Sequence, residues 1–281
     1  MACRDTFNMN IGAQYAEPEP DATENPEVKK ELSETRDTFM MPLTGMPLFG
    51  VDSSQKANTV LQHNLTMLEW VTKNKLPPNF WGRNINGENS LDKEEIEYLH
   101  DTGGCKIAPL YQTEEQMLTE QDGVLDAEKA VECAEKLGFH AGHTLYVKIK
   151  NSSEVTMEYM LGFAKHLQTK GLIPGMYADT DAHFDFCHQF SRGAVENADV
   201  FKKCRIWAVS PSLTEYDKTT NAHILYPDYW GPYSPSCMPQ DEIAIWQYGI
   251  GCHPVNDYTG RPTSFNINLV KKADIVLEEM L

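Results

Sequence analysis

The sequence predicts an α/β fold: a (β/α)8 TIM-like barrel over residues 49–281, irregular in its later units, behind an N-terminal extension. Three observations predict it. Eight short β-rich runs recur along the body, helical segments separate the early ones, and the body has the length of a single barrel of about 250 residues.

FGVDSS (49–54) is the first run. Residues 58–73 come next, with apolar side chains at 60, 61, 65, 68 and 71, a helical period. NFWGRNI (79–85) is the second run. Ser90 then reads as an N-cap, with Lys93 or Glu94 near the third or fourth helical position. CKIAPLYQ (105–112) is the third run, and the helix expected over 126–137 stops at Gly138, a residue type that tolerates the left-handed cap. TLYVKIKN (144–151) is the fourth, and the helix over 154–170 stops in the same way at Gly171. IPGMYADT (173–180), CRIWAVSPS (204–212), EIAIWQYG (242–249) and SFNINL (264–269) complete the eight. Residues 213–241, rich in Pro, Tyr and Asp, read as loop and are the source of the expected irregularity.

Residues 1–48 read as an acidic, Pro-containing extension. They carry 9 acidic and 4 basic residues, −5 of the chain's −17, with prolines at 18, 20, 26, 42 and 47. The expectation is flexibility up to about residue 38, with FMMPLTGMPLF apolar enough to dock on the body. A net charge of −17 opposes general binding to nucleic acid or anionic membrane. No run of about 18 apolar residues predicts a membrane span, and the first residues lack the apolar core of a signal peptide. A cytoplasmic location is the default, with release by a route needing no classical signal as the alternative. Seven cysteines at 3, 105, 133, 187, 204, 237 and 252, odd in number and without CxxC, predict free thiols.

Several segments carry a resemblance together. FGVDSS, FWGRNI, LDKEEIEYLHDTGGCKIAPLYQ, GVLDAEKAVECAEKLGF, GLIPGMYADT and IAIWQYG, in that order over about residues 49–270, resemble a bacterial glycoside-hydrolase-like TIM-barrel family. That family is a domain of unassigned function similar to the family 25 lysozymes, which cut peptidoglycan glycan strands. The resemblance implies an acid in the G-x-D of the first strand, here Asp52, and a D-x-D or D-x-E pair after the fourth. Here the fourth-strand positions fall on Lys148 and Lys150, or on Lys150 and Ser152, and Asn266 stands where the last strand often carries Asp. Two functions arise as expectations: an enzyme acting on a cell-wall-type glycan without the usual acid pair, or a non-catalytic barrel binding glycan or protein.

The candidate residues derive from that chemistry. Glycosidic cleavage needs a carboxylic acid and a second carboxylate about 5–9.5 Å apart. Asp52 is one candidate, against its reading as a helix cap. Asp179 and Asp181, crowning the fifth strand in ADTDAHFDFCH (178–188), are candidates to replace the missing pair. The same segment holds His183, Asp185 and His188, but at no metal-ligating spacing, so a solvated loop is expected and neither metal nor cofactor is. Arg83, Tyr111, Gln112, Tyr177, Trp246 and Gln247 are expected at the rim to stack on sugar rings and bond hydroxyls, alternation turning only some of them inward. Lys150 is the expected contact for an anionic group, and Trp207 is assigned to the core. His140 and His143, before the fourth strand, lie at the end of a barrel that serves stability. The aromatic loop 214–235 is a further candidate cover for a carbohydrate, and adjacent Cys187 and His188 do not by themselves make a nucleophile–base pair.

Overall fold

The structure is a computed structural model in which residues 41–42, 48–61, 64–113, 116–149, 155–181, 184–213, 227, 229–253, 264–271 and 276–281 are described. The flexible extension expected up to residue 38, most of the 214–235 loop, Lys150 and His183 lie outside the described residues. The body is one compact unit, Pro42–Leu281.

Eight strands close a barrel: β1 (Leu48–Ser53), β2 (Phe80–Asn84), β3 (Lys106–Gln112), β4 (Thr144–Lys148), β5 (Ile173–Asp179), β6 (Arg205–Val209), β7 (Ile245–Cys252) and β8 (Phe265–Val270). They stand in the order β8-β1-β2-β3-β4-β5-β6-β7. Strands β1 to β7 pair in parallel, whereas β8 is antiparallel to both neighbours. The expected irregularity therefore takes a definite form. The last unit is not β/α but a reversed strand, which needs no helical crossover. A register shift in the β7–β8 pairing marks a bulge beside the closure.

The helices pack outside. They are α1 (Met67–Asn74), α2 (Lys93–Tyr98), α3 (Glu120–Leu137), α4 (Met157–Thr169), α5 (Asp185–Glu196) and the single turn α6 (Ala198–Phe201). Local chemistry sets their ends. Thr66 with Glu69 and Thr119 with Asp122 form capping boxes, and Gly138 ends α3 at φ 97°. Helix starts differ from expectation: α3 begins at Glu120 rather than near residue 126, and two further differences have a local cause. Helix α1 starts at Met67 rather than near residue 58, because Val60 pairs with Thr66 as an isolated bridge. The cap of α2 is Asp92, not Ser90: its Oδ1 accepts from the Glu95 N–H at 2.9 Å.

Strand alternation separates two apolar clusters. Phe49, Val51, Trp81, Ile107, Tyr111, Val147, Met176, Ile206, Trp246 and Leu269 face the helices. Phe80, Leu110, Tyr146, Tyr177, Trp207, Ile245 and Val270 fill the barrel. Trp207 is its centre, edge-on to Phe80, Tyr146 and Tyr177 at centroid distances of 5.9, 5.4 and 5.3 Å. Such a ring fits only where a facing strand has no side chain. A Cβ on Gly82 would lie 2.5 Å from the Trp207 ring and 2.7 Å from Asp52 Cβ.

The C-terminal segment seals the end where the parallel strands begin. Ile107 and Leu281 exchange backbone hydrogen bonds at 2.8 and 3.2 Å, and the Glu279 carboxylate accepts from Arg205 Nε at 2.8 Å. Val276 and Met280 join the inner cluster there. His140 and His143 stack at this same end, ring centroids 4.0 Å apart. The opposite end, where the parallel strands finish, is the one on which this fold places its chemistry.

Candidate functional site

The last inward positions before that end are polar. On β1 the inner row runs Leu48, Gly50, Asp52, and on β8 it runs Val270, Asn268, Asn266. Asp52 and Asn266 are register partners across the antiparallel closure. Asn268 Nδ2 donates to Asp52 Oδ1 and Asn266 Nδ2 to Asp52 Oδ2, both at 2.8 Å. The two amides cannot turn over freely. Trp207 Nε1 donates to Asn268 Oδ1 at 2.8 Å, and the Gly251 N–H donates to Asn266 Oδ1 at 3.0 Å. Each amide oxygen is thereby occupied, and each NH2 is aimed at the carboxyl group. This cradle suits an acceptor on both sides, which a carboxylate is and a carboxamide is not.

Around the carboxyl stand three further inward groups. Tyr177 donates its hydroxyl to Gln247 Oε1 at 2.5 Å. Gln247 is fully buried, and among the described residues its Nε2 has no hydrogen-bond partner. Lys148, half-buried at the end of β4, carries its ammonium 5.2 Å from the Tyr177 ring centroid. Burial pushes the Asp52 carboxyl above the ordinary carboxylate range, against the pull of Asn268, Asn266 and the Lys148 charge. Burial, and then the Asp52 charge, push the Tyr177 phenol well up, so it stays a donor. One step beyond Tyr177 on the same inner row lies Asp179, which accepts from the Asp181 N–H at 2.9 Å. Burial raises the Asp179 carboxyl too, with the Asp181 N–H opposing and the Asp181 charge adding.

The structure thus gathers Asp52, Tyr177, Gln247 and Asp179, with Asp181 just past the end of β5. Gln112, at the exposed end of β3, follows Leu110 on the inner face and reaches the rim. Three expected rim residues are corrected, because alternation turns them the other way. Arg83 follows Trp81 outward. It is fully buried and gives Nε to Glu95 Oε1 at 2.8 Å, one terminal nitrogen to the Ser53 carbonyl at 2.7 Å and the other to the Asn89 carbonyl at 2.5 Å. Tyr111 faces α3, its hydroxyl 3.4 Å from Asp126 Oδ1. Trp246 packs on Trp230 and donates Nε1 to the Ser210 carbonyl at 2.7 Å. Trp207 is core as expected, yet its N–H orients the clamp.

The residues that sequence reasoning passed over are Asn268 and the role of Asn266. Their signal is two amides at i and i+2 in the otherwise apolar FNINLV, both on the face that alternation turns inward. Among the described residues no three His, Cys, Asp or Glu side chains gather in a group able to hold a metal ion.

Comparison with known proteins fits this architecture. The family model described as Rv2525c-like, glycoside hydrolase-like domain matches residues 77–259. That span begins after β1 and ends before β8, so Asp52, Asn266 and Asn268 lie outside it. The crystal structure of an uncharacterized B. stearothermophilus protein is similar at a TM-score of 0.67 and 24% identity, over 83% of this chain and 100% of that one. A muramidase from Acremonium alcalophilum aligns at a TM-score of 0.48 and 11% identity, over 83% of this chain and 99% of its own. The modular autolysin LytC from Streptococcus pneumoniae, solved with a synthetic peptidoglycan ligand, aligns at 0.47 and 11%, over 80% of this chain and 47% of its own. No curated protein matches the chain.

Proposed function

This chain belongs to the Rv2525c-like, glycoside hydrolase-like family, and we propose that it holds a cell-wall-type, peptidoglycan-related glycan at the mouth of its barrel with little or no cleavage. The observation that carries this reading is the presence of Asp52 and Lys148 together on the inner face at the mouth. Asp52 is an interior carboxyl group fixed from two sides. At the end of β4, where a hydrolase of this shape wants its acid, stands a lysine whose ammonium neither protonates a leaving oxygen efficiently nor acts as a base. The exposed Gln112 amide at the rim offers a polar contact to a sugar hydroxyl.

A second reading, hydrolysis by Asp52 with Asp179, is favoured by one observation. Burial raises both carboxyls, and a raised carboxyl is what a general acid requires. Two measurements decide between the readings. Calorimetry with chitooligosaccharides and purified peptidoglycan fragments is expected to show binding, while reducing-sugar release from peptidoglycan stays at the buffer level. Robust release that Asp52→Asn and Asp179→Asn each abolish would establish the hydrolase instead. Absence of binding to every glycan would leave the barrel as a protein-binding module.

A further inference from the structure

We propose that the mouth selects an acidic sugar, taking its carboxylate between the Lys148 ammonium and the Gln247 Nε2 donor on either side of Tyr177. The inference rests on the glycan reading above and adds to it the charge class of the ligand.

The geometry is asymmetric in donors and acceptors. Both Asp52 oxygens already accept from the amide clamp. The Gln247 oxygen already accepts from Tyr177, which fixes that amide and leaves Nε2 as its open valence. A buried donor left without an acceptor is a standing cost to the fold. An acceptor oxygen there, placed directly or through one bridging water, removes that cost. Lys148 adds three more donors and a full charge, and among the described residues no carboxylate makes an ion pair with it. What the inner wall leaves unfilled are therefore donors, one of them cationic. Their complement is an oxyanion.

A carboxylate on a sugar comes as a lactyl ether, as in N-acetylmuramic acid, or as a uronic acid, and the test separates the two. The full chain is titrated calorimetrically with chitobiose, with the disaccharide of N-acetylglucosamine and N-acetylmuramic acid, and with a hyaluronan tetrasaccharide. One of the two acidic ligands is expected to bind about five- to tenfold more tightly than chitobiose, the scale of a single partly desolvated ion pair. Which one it is identifies the source of the carboxylate. Lys148→Met should erase that preference, while Lys148→Arg restores part of it. Lys136→Met, which removes an equal charge from the exposed face of α3, should change nothing. Gln247→Leu, checked for an unchanged melting profile, should weaken the acidic ligand. Equal affinity for all three ligands, or a preference that survives Lys148→Met, overturns the inference while leaving the glycan reading intact. Failure of all three to bind overturns the glycan reading itself.

Discussion

The two faces of the upper barrel wall are one residue apart in sequence and are built on opposite rules. Outward, Arg83 commits its guanidinium to Glu95 and two carbonyls, and Glu95 Oε1 also accepts from the Ala57 N–H at 2.8 Å. Further round, the buried Asp126 carboxylate accepts from Tyr159 at 2.8 Å, from Thr113 and from Tyr111. These groups hold loops and helices against the sheet with bonds made inside the protein. Inward, Asp52 is clamped just as firmly, but its neighbours Lys148 and Gln247 keep donors open. The outer cluster leaves only an acceptor over, Glu95 Oε2, which has no hydrogen-bond partner among the described residues, whereas Gln247 and Lys148 on the inner face leave donors over, one of them charged.

The largest effect that would break this contrast is on the outer face. Arg83→Ala leaves the Glu95 carboxylate buried without its cation and should cost about 3–5 kcal/mol by urea unfolding. A loss below about 1 kcal/mol would mean that the guanidinium is not structural. Gly82→Ala tests the wall between the faces. The added methyl meets the Trp207 ring and Asp52, and overpacking of that kind costs about 1–3 kcal/mol. It should also weaken glycan binding, since it pushes on the indole that orients Asn268.

A pH series sharpens the inner side. The groups facing Asp52 are Lys148 on β4, Tyr177 on β5 with Asp179 above it, and the neutral Asn266, Asn268, Gln247 and Trp207. Because the Asp52 carboxyl is raised, it takes up a proton above the ordinary carboxylate range. An acidic sugar drawn to Lys148 removes part of the charge that favours ionised Asp52, so the complex binds more protons than the free protein. Affinity for the acidic ligand should therefore rise as pH falls from neutrality towards 5, and chitobiose should show a flatter profile. Asp52→Asn should flatten the acidic ligand's profile as well; an unchanged slope in that variant assigns the titration to Asp179.

The smallest effect concerns the thiols of the outer layer. Burial pushes Cys105, Cys187 and Cys204 up to about 12, so at pH 8 they are almost wholly thiols and react slowly. Cys237 is exposed and should be labelled first among the described cysteines by iodoacetamide, with the sites read by peptide mass spectrometry. Labelling of Cys204 at a comparable rate would show that the sheet–helix layer opens to solvent.

The order and type of the elements were legible in the chain. Eight β-rich runs and the Gly138 stop come from spacing and residue type, because alternation and helical period are local consequences of backbone geometry. The direction of the last strand was not legible. Nothing in SFNINL distinguishes a parallel from an antiparallel strand, and only closure of the barrel on β1 decides it. The candidate site divides along the same line. Asp52 was proposed from the family resemblance and Tyr177 and Gln247 from their types at strand ends, but so were Arg83, Tyr111 and Trp246, which alternation sends to the other face. The phase of each strand, in or out, is fixed by which row packs on helices and which on Trp207. That is a property of the assembled sheet, not of any strand alone. The amide clamp is a still longer-range fact: Asp52 meets Asn268 across 216 positions of sequence. Residue order was enough to place polar groups at the crowns of the strands. Which of them share the barrel's interior, and which donors there stay open, came only with the closing of the sheet, because closure alone brings β8 against β1 and sets the phase of every row.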